Sequence, residues 1–350
     1  PKEGGQSEAY QRAEVIVSYP YENVGPSLPN LMTTVAGNLF ELGQFSGLRL
    51  LDIDLPQPFA DAYPGPQFGI DGTRRLAGVY DRPLIGTIIK PSVGLSPDET
   101  ADLVKTMVAA GLDFVKDDEL IASPVYSTIE ARTRAVMPVI ERDADQTGRK
   151  AMYAFNITGD IDEMRRRHDT VLAAGGTCVM VSLNSVGLTG LIELRKHTQL
   201  PIHAHRNGWG ALSRHPLLGF SYVAWQKFWR LAGVDQMHVN GLRNKFCEGG
   251  DSVIEAARAC LTPMLGGYTV MPVFSSGQWA GQAPDTYRAL GSVDLMYLAG
   301  GGIIGHPGGP ASGARSLRQA WEAAKANIDL ETYAQTHQEL QEALAKYGAL

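Results

Sequence analysis

The sequence predicts an α/β protein in which a smaller N-terminal α+β domain, residues 1–80, precedes a C-terminal (β/α)₈ barrel with additional helices, residues 81–350. Three observations support this prediction. Eight short apolar runs typical of buried strands recur after residue 80, patterns typical of amphipathic helices lie between them, and the 44% hydrophobic content is enough to bury a large core. An open doubly wound sheet is the alternative that the same alternation allows.

The residues before the barrel follow a different pattern. EVIVSYP, residues 14–20, alternates like a strand, residues 28–42 are typical of a helix, and residues 48–56 are typical of a second strand. The Pro- and Gly-rich residues 56–72 are typical of a connecting loop. Because the chain starts at Pro1 and not at methionine, we expect a further segment upstream.

Each predicted barrel strand is a run of five to seven residues, and successive runs start more than 20 residues apart. Intervals of this length hold the crossover helix that parallel strands require. Residues 98–111 show such a helix, with Leu103, Met107 and Val108 on one face and Gly111 at its end. The predicted strands are 84–89, 112–116, 152–157, 178–183, 201–205, 234–239, 268–274 and 295–301, and residues 316–347 are predicted to be helical.

Charge and cysteine content argue against several classes of protein. The net charge of −6 and the lack of a Lys- or Arg-rich run disfavour nucleic acid and favour a small-molecule substrate. The three cysteines have no C-x-x-C spacing, which disfavours a disulfide framework or a structural zinc site. No apolar run reaches the roughly 18 residues that a membrane span needs. We therefore expect a cytoplasmic protein with no membrane partner.

Barrels of this type carry their catalytic groups at the carboxyl ends of the strands. Singly, each polar residue there has an ordinary interpretation, such as a loop lysine, a buried core histidine or a turn glycine. Together, on one rim, they predict an active site. These residues are Lys90, Lys116, Asp118, Glu119, Asn156, His205, Arg206, His238, Ser275, Ser276, Gly277, Gly300, Gly301 and Gly302.

Four consecutive charges, from Lys116 to Glu119, end the second predicted strand in the stretch GLDFVKDDELI. The ordinary interpretation is a solvated loop. The alternative is a metal site, because the carboxylate oxygens of Asp118 and Glu119 suit Mg²⁺. A Lys116 ammonium would repel the metal, whereas a neutral Lys116 amine that reacted with CO₂ would add a carbamate oxygen as a third anionic ligand.

Six motifs in this order and spacing resemble the large subunit of ribulose-bisphosphate carboxylase, or Rubisco: GTIIKPSVGLS, GLDFVKDDE, HAHR, HVNGLRNK, SSGQW and GGGIIGHPGG. The resemblance extends from about Tyr19 to the end of the last barrel helix. It implies a ferredoxin-like N-terminal domain and a homodimer whose active sites use the partner's N-terminal domain. It also implies that Lys116 is carbamylated by CO₂ and binds Mg²⁺ with Asp118 and Glu119.

The resemblance further implies catalytic roles. Lys90 would handle the substrate's proton, and His205 would be an additional acid/base or oxygen-contacting group. Lys245, seven residues after His238, would polarise CO₂ or a carboxylate from a mobile loop. Asn38 would reach the metal-bound substrate across the dimer interface.

Binding roles follow from the same resemblance. Arg206 and His238 would hold one phosphate end of the substrate, and Ser275 would contact a substrate hydroxyl. The other anionic end would receive backbone N–H groups from Gly277, Gly300 and Gly301.

Departures from the carboxylase pattern argue against CO₂ fixation on ribulose bisphosphate. Ser92 follows Lys90 and Pro91 where carboxylases have a second lysine, and Ser276 stands where the family usually has glycine. The HRNGWG context that follows His203 also differs from the carboxylase sequence. We therefore expect a Rubisco-like protein.

Rubisco-like proteins share one step, the formation of a Mg²⁺-stabilised enediolate beside the ketone of a phosphorylated sugar-like substrate. Because Lys245 could hold a departing carboxylate, we expect decarboxylation of a 3-oxo acid phosphate, such as 3-oxo-isoapionate 4-phosphate, in carbohydrate catabolism. The alternative is an enolase or isomerase of methionine salvage that acts on a methylthio-pentulose phosphate, which an apolar pocket around Trp209 or Met237 would favour. A second alternative is a non-catalytic sugar-phosphate-binding protein, against which the metal ligands argue.

Overall fold

The chain folds around one closed barrel of eight parallel strands in the computed structural model, which describes residues 11–348. The strands are β1 (Arg49–Leu50), β2 (Leu84–Ile88), β3 (Phe114–Lys116), β4 (Met152–Asn156), β5 (Cys178–Ser182), β6 (Ile202–His205), β7 (Gly219–Phe220), β8 (Gln236–His238), β9 (Met271–Phe274) and β10 (Met296–Leu298). The barrel order is β10-β2-β3-β4-β5-β6-β8-β9, and β1 pairs with β7 outside it. The predicted barrel and its eight strands are confirmed, and the open sheet is wrong.

Barrel closure joins the last strand to the first, with Met296 opposite Leu84 and Leu298 opposite Gly86. A Cβ on Gly86 would lie 2.6 Å from the backbone oxygen of Phe114 in β3 and 2.7 Å from a side-chain carbon of Leu298 in β10, so the close approach of both neighbouring strands requires glycine there. Apolar residues at alternate strand positions form one hydrophobic cluster, and a larger cluster joins the strands to the surrounding helices.

Helices cover the barrel from outside. Helix α5 (Pro97–Ala109) starts with a capping box, in which Ser96 Oγ accepts from the Glu99 N–H and the Glu99 carboxylate accepts from the Ser96 N–H. The helices are α1 (Tyr21–Val24), α2 (Leu28–Ala36), α3 (Pro58–Ala62), α4 (Gly69–Ala77), α5 (Pro97–Ala109), α6 (Ile129–Thr147), α7 (Ile161–Ala173), α8 (Leu183–His197), α9 (Trp209–Ser213), α10 (Tyr222–Ala232), α11 (Gly250–Leu261), α12 (Ala283–Leu290), α13 (Gly301–Ile304), α14 (Gly309–Lys325), α15 (Leu330–Ala334) and α16 (Gln338–Tyr347), with 3₁₀ helices at Asn38–Glu41 and Ala280–Gln282. Within residues 11–348, none has the length and apolar content required to cross a membrane.

The N-terminal region differs most from the sequence-based expectation. The strand predicted over 14–20 is wrong, because these residues are exposed and belong to no strand. The strand predicted over 48–56 is reduced to the two residues of β1, and the helix predicted over 28–42 is divided at Gly37 into α2 and a 3₁₀ helix. A segment with an alternating pattern forms a strand only when another strand pairs with it, and the local sequence does not identify that partner.

The predicted connecting loop, residues 56–72, instead contains α3 and the start of α4. Helix α4 packs at the amino end of the barrel strands, where the N–H groups of Phe68 and Gly69 donate to Asp235 Oδ1 at 2.6 and 3.0 Å. Arg74 of α4 donates to Asp294 Oδ1 at 2.6 Å, just before β10. This end of the barrel is therefore closed by the chain itself.

Candidate active site

Strand geometry brings the predicted polar residues to one end of the barrel. Lys116, Asn156, His205 and His238 are the last residues of β3, β4, β6 and β8, respectively. Side chains alternate between the two faces of a strand, so Lys116 points the same way as Phe114, which belongs to the apolar cluster of alternate strand residues. The carboxyl ends of four parallel strands therefore contribute polar groups to one rim.

Lys116 is fully buried. Its Nζ donates to the backbone oxygen of Asp117 at 3.0 Å and lies 3.6 Å from Met180 Sδ and 3.7 Å from Glu119 Oε2. Burial lowers the pKa of Lys116 from its usual value, because water no longer solvates the ammonium. The environment therefore shifts Lys116 toward the neutral amine, which is the form that can react with CO₂.

Asp117 has a structural role that differs from that of its neighbours. It is fully buried, and its Oδ2 accepts from Arg132 Nε at 3.1 Å, from Arg132 Nη2 at 2.9 Å and from the Asn156 N–H at 2.9 Å. Its Oδ1 accepts from Tyr153 Oη at 2.6 Å. With four donors this carboxylate is saturated, and it ties β3 to β4 and α6.

Asp118 binds the predicted catalytic lysine of the preceding strand. Lys90 Nζ donates to Asp118 Oδ2 at 2.5 Å and to Ser92 Oγ at 2.8 Å, and Ser92 Oγ donates to the same carboxylate oxygen at 3.2 Å. Asp118 Oδ1 accepts from the Leu120 N–H at 3.0 Å. Ser92, which replaces a lysine of the carboxylase pattern, thus supports the contact between Lys90 and Asp118.

Glu119 is held close to Lys116 and His205 without a direct hydrogen bond to either. Its Oε2 lies 3.7 Å from Lys116 Nζ and 3.7 Å from His205 Nε2. Asn156 Nδ2 fixes the loop by donating to the backbone oxygens of Asp118 and Glu119 at 3.2 and 3.1 Å. Burial lowers the pKa of His205 well below its usual value. His205 Nδ1 is buried and has no partner among the described residues.

These groups fit a divalent metal ion held by a carbamylated lysine. Lys116, Asp118 and Glu119 would hold the ion, since two carboxylates and a carbamate supply the oxygen ligands that hard cations prefer. The gaps of 3.7 Å around Glu119 Oε2 leave that oxygen without a direct donor. Asp118 would exchange part of its contact with Lys90 for the ion.

A line of polar side chains crosses the barrel interior and ends at Ser275. Gln236 Nε2 donates to Thr73 Oγ1 at 3.2 Å, so the Gln236 Oε1 accepts from His203 Nδ1 at 2.8 Å. His203 and His238 join through their Nε2 atoms at 2.8 Å, and His238 Nδ1 lies 3.1 Å from Ser275 Oγ. Burial lowers the pKa of both histidines well below the usual value, so both rings are neutral. Ser275 Oγ therefore donates to His238 and keeps its lone pairs for a substrate hydroxyl.

Arg206 already has an anionic partner inside the chain. Its Nη2 donates to Glu248 Oε2, and the side chains are only 8% and 12% exposed. Glu248 also accepts from Asn240 Nδ2 at 2.8 Å and from Ser252 Oγ at 3.0 Å. The guanidinium lies 5.4 Å from the ring centroid of Tyr222, a cation–π distance. Arg206 Nη1 is buried and unpartnered among the described residues.

The three predicted phosphate-binding glycines border open space. A Cβ on Gly277, Gly300 or Gly301 would meet no heavy atom within 4 Å, so packing does not require glycine there. Gly302 differs, because a Cβ would lie 2.7 Å from the backbone oxygen of Gln278. Ser276 has a φ of 71° and Gly277 a φ of 88°, so the chain turns sharply after β9.

Two predicted site residues lie apart from the metal-ligand group within this chain. Lys245 is exposed, with its Nζ 5.4 Å from the centroid of the Phe246 ring, and its N–H donates to the Ser276 oxygen at 3.4 Å. Asn38 is exposed in the 3₁₀ helix after α2, where Phe40 stacks on Phe220 at 6.0 Å. No contact among the described residues joins either side chain to Lys116, Asp118 or Glu119.

A second group of possible metal ligands lies between α7 and α8. His168, Asp169 and His197 offer ligand atoms within 4.8 Å of one another. Asp169 Oδ1 lies 2.9 Å from His168 Nδ1 and 2.7 Å from His197 Nε2, and His168 Nε2 accepts from the Gln199 N–H at 3.2 Å. These mutual hydrogen bonds satisfy the group and tie the two helices together.

Two features of the rim have weak or no signals in the sequence. Strand alternation after Phe114 could have separated Asp117 from Lys116 and Asp118, but nothing marks Arg132 as its partner. Glu248 stands ten residues after His238 in an irregular segment, and its contact with Arg206 spans 42 positions. Pairings at such separation are decided by tertiary folding.

Models of known families match most of the chain. The ribulose bisphosphate carboxylase large chain catalytic domain matches residues 69–347, and the N-terminal domain of the same large chain matches residues 5–59. Rubisco-family membership implies, in general, a metal and a carbamylated lysine.

The names of two curated relatives contain the same compound, 3-oxo-isoapionate 4-phosphate. The chain is 59% identical over 343 residues to the 3-oxo-isoapionate-4-phosphate transcarboxylase/hydrolase of Xanthobacter autotrophicus, covering 97% of this chain and 83% of that protein. It is 49% identical over 340 residues to the 3-oxo-isoapionate-4-phosphate decarboxylase of Rhizobium etli, covering 96% of this chain and 82% of that protein.

Solved structures agree with these matches. A Rubisco-like protein from Burkholderia fungorum superposes with a TM-score of 0.92 at 50% identity, covering 93% of this chain and 81% of that one. The dimeric archaeal Rubisco from Hyperthermus butylicus superposes with a TM-score of 0.86 at 35% identity, covering 95% and 81%. The chain belongs to the ribulose bisphosphate carboxylase large-chain family, among its Rubisco-like members.

Proposed function

We propose that this protein decarboxylates 3-oxo-isoapionate 4-phosphate with Mg²⁺ bound by Asp118, Glu119 and a carbamylated Lys116. The observation that carries the proposal is the buried Lys116 amine, whose pKa is lowered by burial and whose nearest carboxylate oxygen, on Glu119, lies 3.7 Å away. The names of the 59% and 49% identical relatives support the choice of substrate.

The chemistry follows from the substrate's 3-oxo acid group. The bond between the carboxylate carbon and the neighbouring carbon breaks, CO₂ leaves, and the electron pair moves toward the ketone oxygen to form an enediolate. Addition of one proton at carbon then gives a tetrulose phosphate. Bound Mg²⁺ would supply positive charge beside the ketone oxygen while negative charge develops there.

Residues of the rim would position the substrate and move this proton. Lys90, held at the rim by Asp118 and Ser92, would deliver the proton to carbon. His205, which is neutral because burial lowers its pKa, would contact a substrate oxygen through its unpartnered Nδ1. Lys245 would move inward to hold the departing carboxylate, and Ser275 would accept from a substrate hydroxyl.

A second reaction begins with the same bond cleavage. The 59% identical relative is named a transcarboxylase/hydrolase, which favours re-addition of CO₂ instead of its release. The enediolate has two nucleophilic carbons, so CO₂ held by Lys245 could add to the other carbon. Addition of water across the adjacent carbon–carbon bond would then yield two carboxylic acids.

The test uses 3-oxo-isoapionate 4-phosphate labelled with ¹³C in its carboxylate, together with Mg²⁺ and bicarbonate. Decarboxylation releases ¹³CO₂ and leaves an unlabelled tetrulose phosphate, whereas transcarboxylation with hydrolysis retains ¹³C in a carboxylic acid. NMR of the products distinguishes them. Recovery of the labelled substrate unchanged would overturn the proposal.

The two residues expected to form a methylthio pocket, Trp209 and Met237, give the methionine-salvage alternative no support. Trp209 is buried against Tyr222 and Trp225, with ring centroids 5.6 and 4.8 Å away, and Met237 is fully buried in the large core cluster. Both side chains are used in packing, so neither supports a site for a methylthio group.

We also propose a homodimer in which Asn38 completes the partner's site, working in the cytoplasm. Exposure of Asn38 and the similarity to a dimeric archaeal Rubisco support the dimer. The three free cysteines support a reducing compartment. Mixing inactive Asn38→Ala and Lys116→Met subunits should restore about a quarter of the activity if sites are shared between subunits. Complete inactivity of the mixture would contradict this arrangement.

A further inference from the structure

The Arg206 end of the site carries no net charge. The buried guanidinium and the largely buried Glu248 carboxylate neutralise each other through a direct ion pair. His238 adds no charge, because both its ring nitrogens have partners within the chain, His203 and Ser275. This end therefore differs from a phosphate site, in which cationic groups face the anion without a competing carboxylate.

A phosphate beside Arg206 would also lie beside Glu248. Like charges in contact inside a poorly solvated site repel strongly. Glu248 cannot leave without cost, because Asn240 Nδ2, at 2.8 Å, and Ser252 Oγ, at 3.0 Å, would lose their acceptor. The arrangement thus opposes an anion at this position.

The same pair suits an uncharged polar group. Arg206 Nη1 is a buried donor without a partner among the described residues, in a side chain that is only 8% exposed. A hydroxyl group can accept from this donor and donate to the adjacent carboxylate at the same time. We infer that Arg206 and Glu248 together bind a hydroxyl-bearing end of the substrate and that Glu248 excludes a second phosphate.

This inference rests on the proposed function and makes its substrate class more specific. A 4-phosphate has one phosphoryl group, which would bind at the opposite end, where Gly277, Gly300 and Gly301 are predicted to receive it. Glu248 would then make the site selective for singly phosphorylated substrates over sugar bisphosphates. The inference replaces the prediction that Arg206 and His238 hold a phosphate.

The experiment compares binding of ribulose 5-phosphate and ribulose 1,5-bisphosphate by isothermal titration calorimetry, in the presence of Mg²⁺ and bicarbonate. The variants are wild type, Glu248→Gln, which removes the charge but keeps the size, and Asp285→Asn as a matched control. Asp285 pairs at 2.6 Å with Arg243, which lies in the same loop as Glu248, but Arg243 is 56% exposed and the ion pairs of Asp285 are with Arg243 and Arg288.

Wild type should bind the bisphosphate no more tightly than the monophosphate. Glu248→Gln should bind the bisphosphate at least about tenfold more tightly than wild type does, with less than about threefold change for the monophosphate. Asp285→Asn should leave both affinities unchanged. Preferential binding of the bisphosphate by wild type, or an unchanged ratio in Glu248→Gln, would overturn the inference.

A second variant tests the same inference in case Glu248→Gln does not fold. Ser252→Ala removes one donor to Glu248 and should shift the same ratio in the same direction by a smaller factor. Binding requires no turnover, so the two proposals fail separately. If the labelled substrate is turned over but the ratio of the two affinities does not change in Glu248→Gln, only the inference about Glu248 is wrong. If there is no turnover but the ratio changes as expected, the proposed substrate is wrong and the role of Glu248 in selectivity stands.

Discussion

The two ends of the barrel both bury charged side chains, but the buried carboxylates that precede the strands at the amino end are paired more completely than the charged groups of the carboxyl rim. Before β3, Asp113 accepts from Arg82 Nη1 and Nη2 at 2.5 and 2.9 Å and from a backbone N–H at 2.9 Å. Before β8, Asp235 accepts from Arg195 Nη1 at 3.1 Å and from the N–H of Ile202 at 2.8 Å, in addition to two N–H groups of the α4 region. Asp113 and Asp235 thus each have an opposite charge and hydrogen bonds to both carboxylate oxygens.

At the carboxyl end Asp117 is saturated, but other buried polar groups are not. Lys116 is fully buried with its nearest carboxylate oxygen 3.7 Å away, and both His205 Nδ1 and Arg206 Nη1 lack partners among the described residues. Buried polar atoms without partners cost stability, so a folded chain retains few of them without a reason. The comparison indicates that the amino end stabilises the barrel and that the carboxyl end is arranged for ligands. Variants at the carboxyl end should therefore mainly lower activity, whereas variants at the amino end should mainly lower stability.

The largest effect is expected at Lys116. Lys116→Met keeps a chain of similar length but removes the amine that forms the carbamate, so turnover should fall by at least about 10³-fold. Removal of a buried amine leaves no charge unpaired, and the urea midpoint should not fall. Product NMR and urea denaturation measure the two quantities. Substantial Mg²⁺-dependent turnover by this variant would contradict the carbamate site.

Asp235→Ala should do the opposite at the amino end. It leaves the buried Arg195 without its carboxylate, which should lower the free energy of unfolding by about 3–5 kcal/mol. The turnover number per folded molecule should remain that of wild type. Urea denaturation and active-site titration test this expectation, and a large loss of turnover in the folded protein would remove the distinction between the two ends.

Lys90 should affect rate more than stability. Lys90→Ala removes the proposed proton donor, so turnover should fall by at least about 10²-fold. The buried Asp118 also loses its ion-pair partner, so the free energy of unfolding should fall, but by less than in Asp235→Ala, because the Lys90 side chain is 47% exposed. Methylamine added to the variant should restore part of the rate if Lys90 transfers a proton. No restoration, combined with a raised KM alone, would assign Lys90 to substrate binding instead.

The smallest effect is a pH dependence of stability from the buried histidines. Burial lowers the pKa of His203 and His238 well below the usual value. At mildly acidic pH these two rings therefore stay neutral in the folded protein but bind protons in the unfolded chain. Stability from this source is complete above about pH 6.5 and falls with decreasing pH by up to about 1.4 kcal/mol per unit for each histidine. Urea denaturation at about pH 7.5 and about pH 5.5 measures the slope. An equal slope in His203→Gln would contradict this source.

The barrel was predictable because its signal is local. Each strand is a short apolar run, the crossover helices occupy the intervals between runs, and the last residue of a parallel strand must lie at the carboxyl rim. Lys116 and His205 are therefore located by their positions in β3 and β6 alone. The strand predicted over 14–20 is wrong because its formation depends on a distant partner and not on a local signal, since a strand exists only through its pairing with another segment.

Local sequence patterns specify the fold class, the order of the strands and the set of residue types on the rim, since these depend on periodicity within a few residues. Which of these residues already have partners depends on the folded arrangement. Asp117 is saturated by Arg132, and Arg206 is neutralised by Glu248, whereas Lys116 is buried beside a carboxylate that does not reach it. Such differences depend on distances of a few ångström between residues far apart in the chain, and local sequence patterns do not encode those distances.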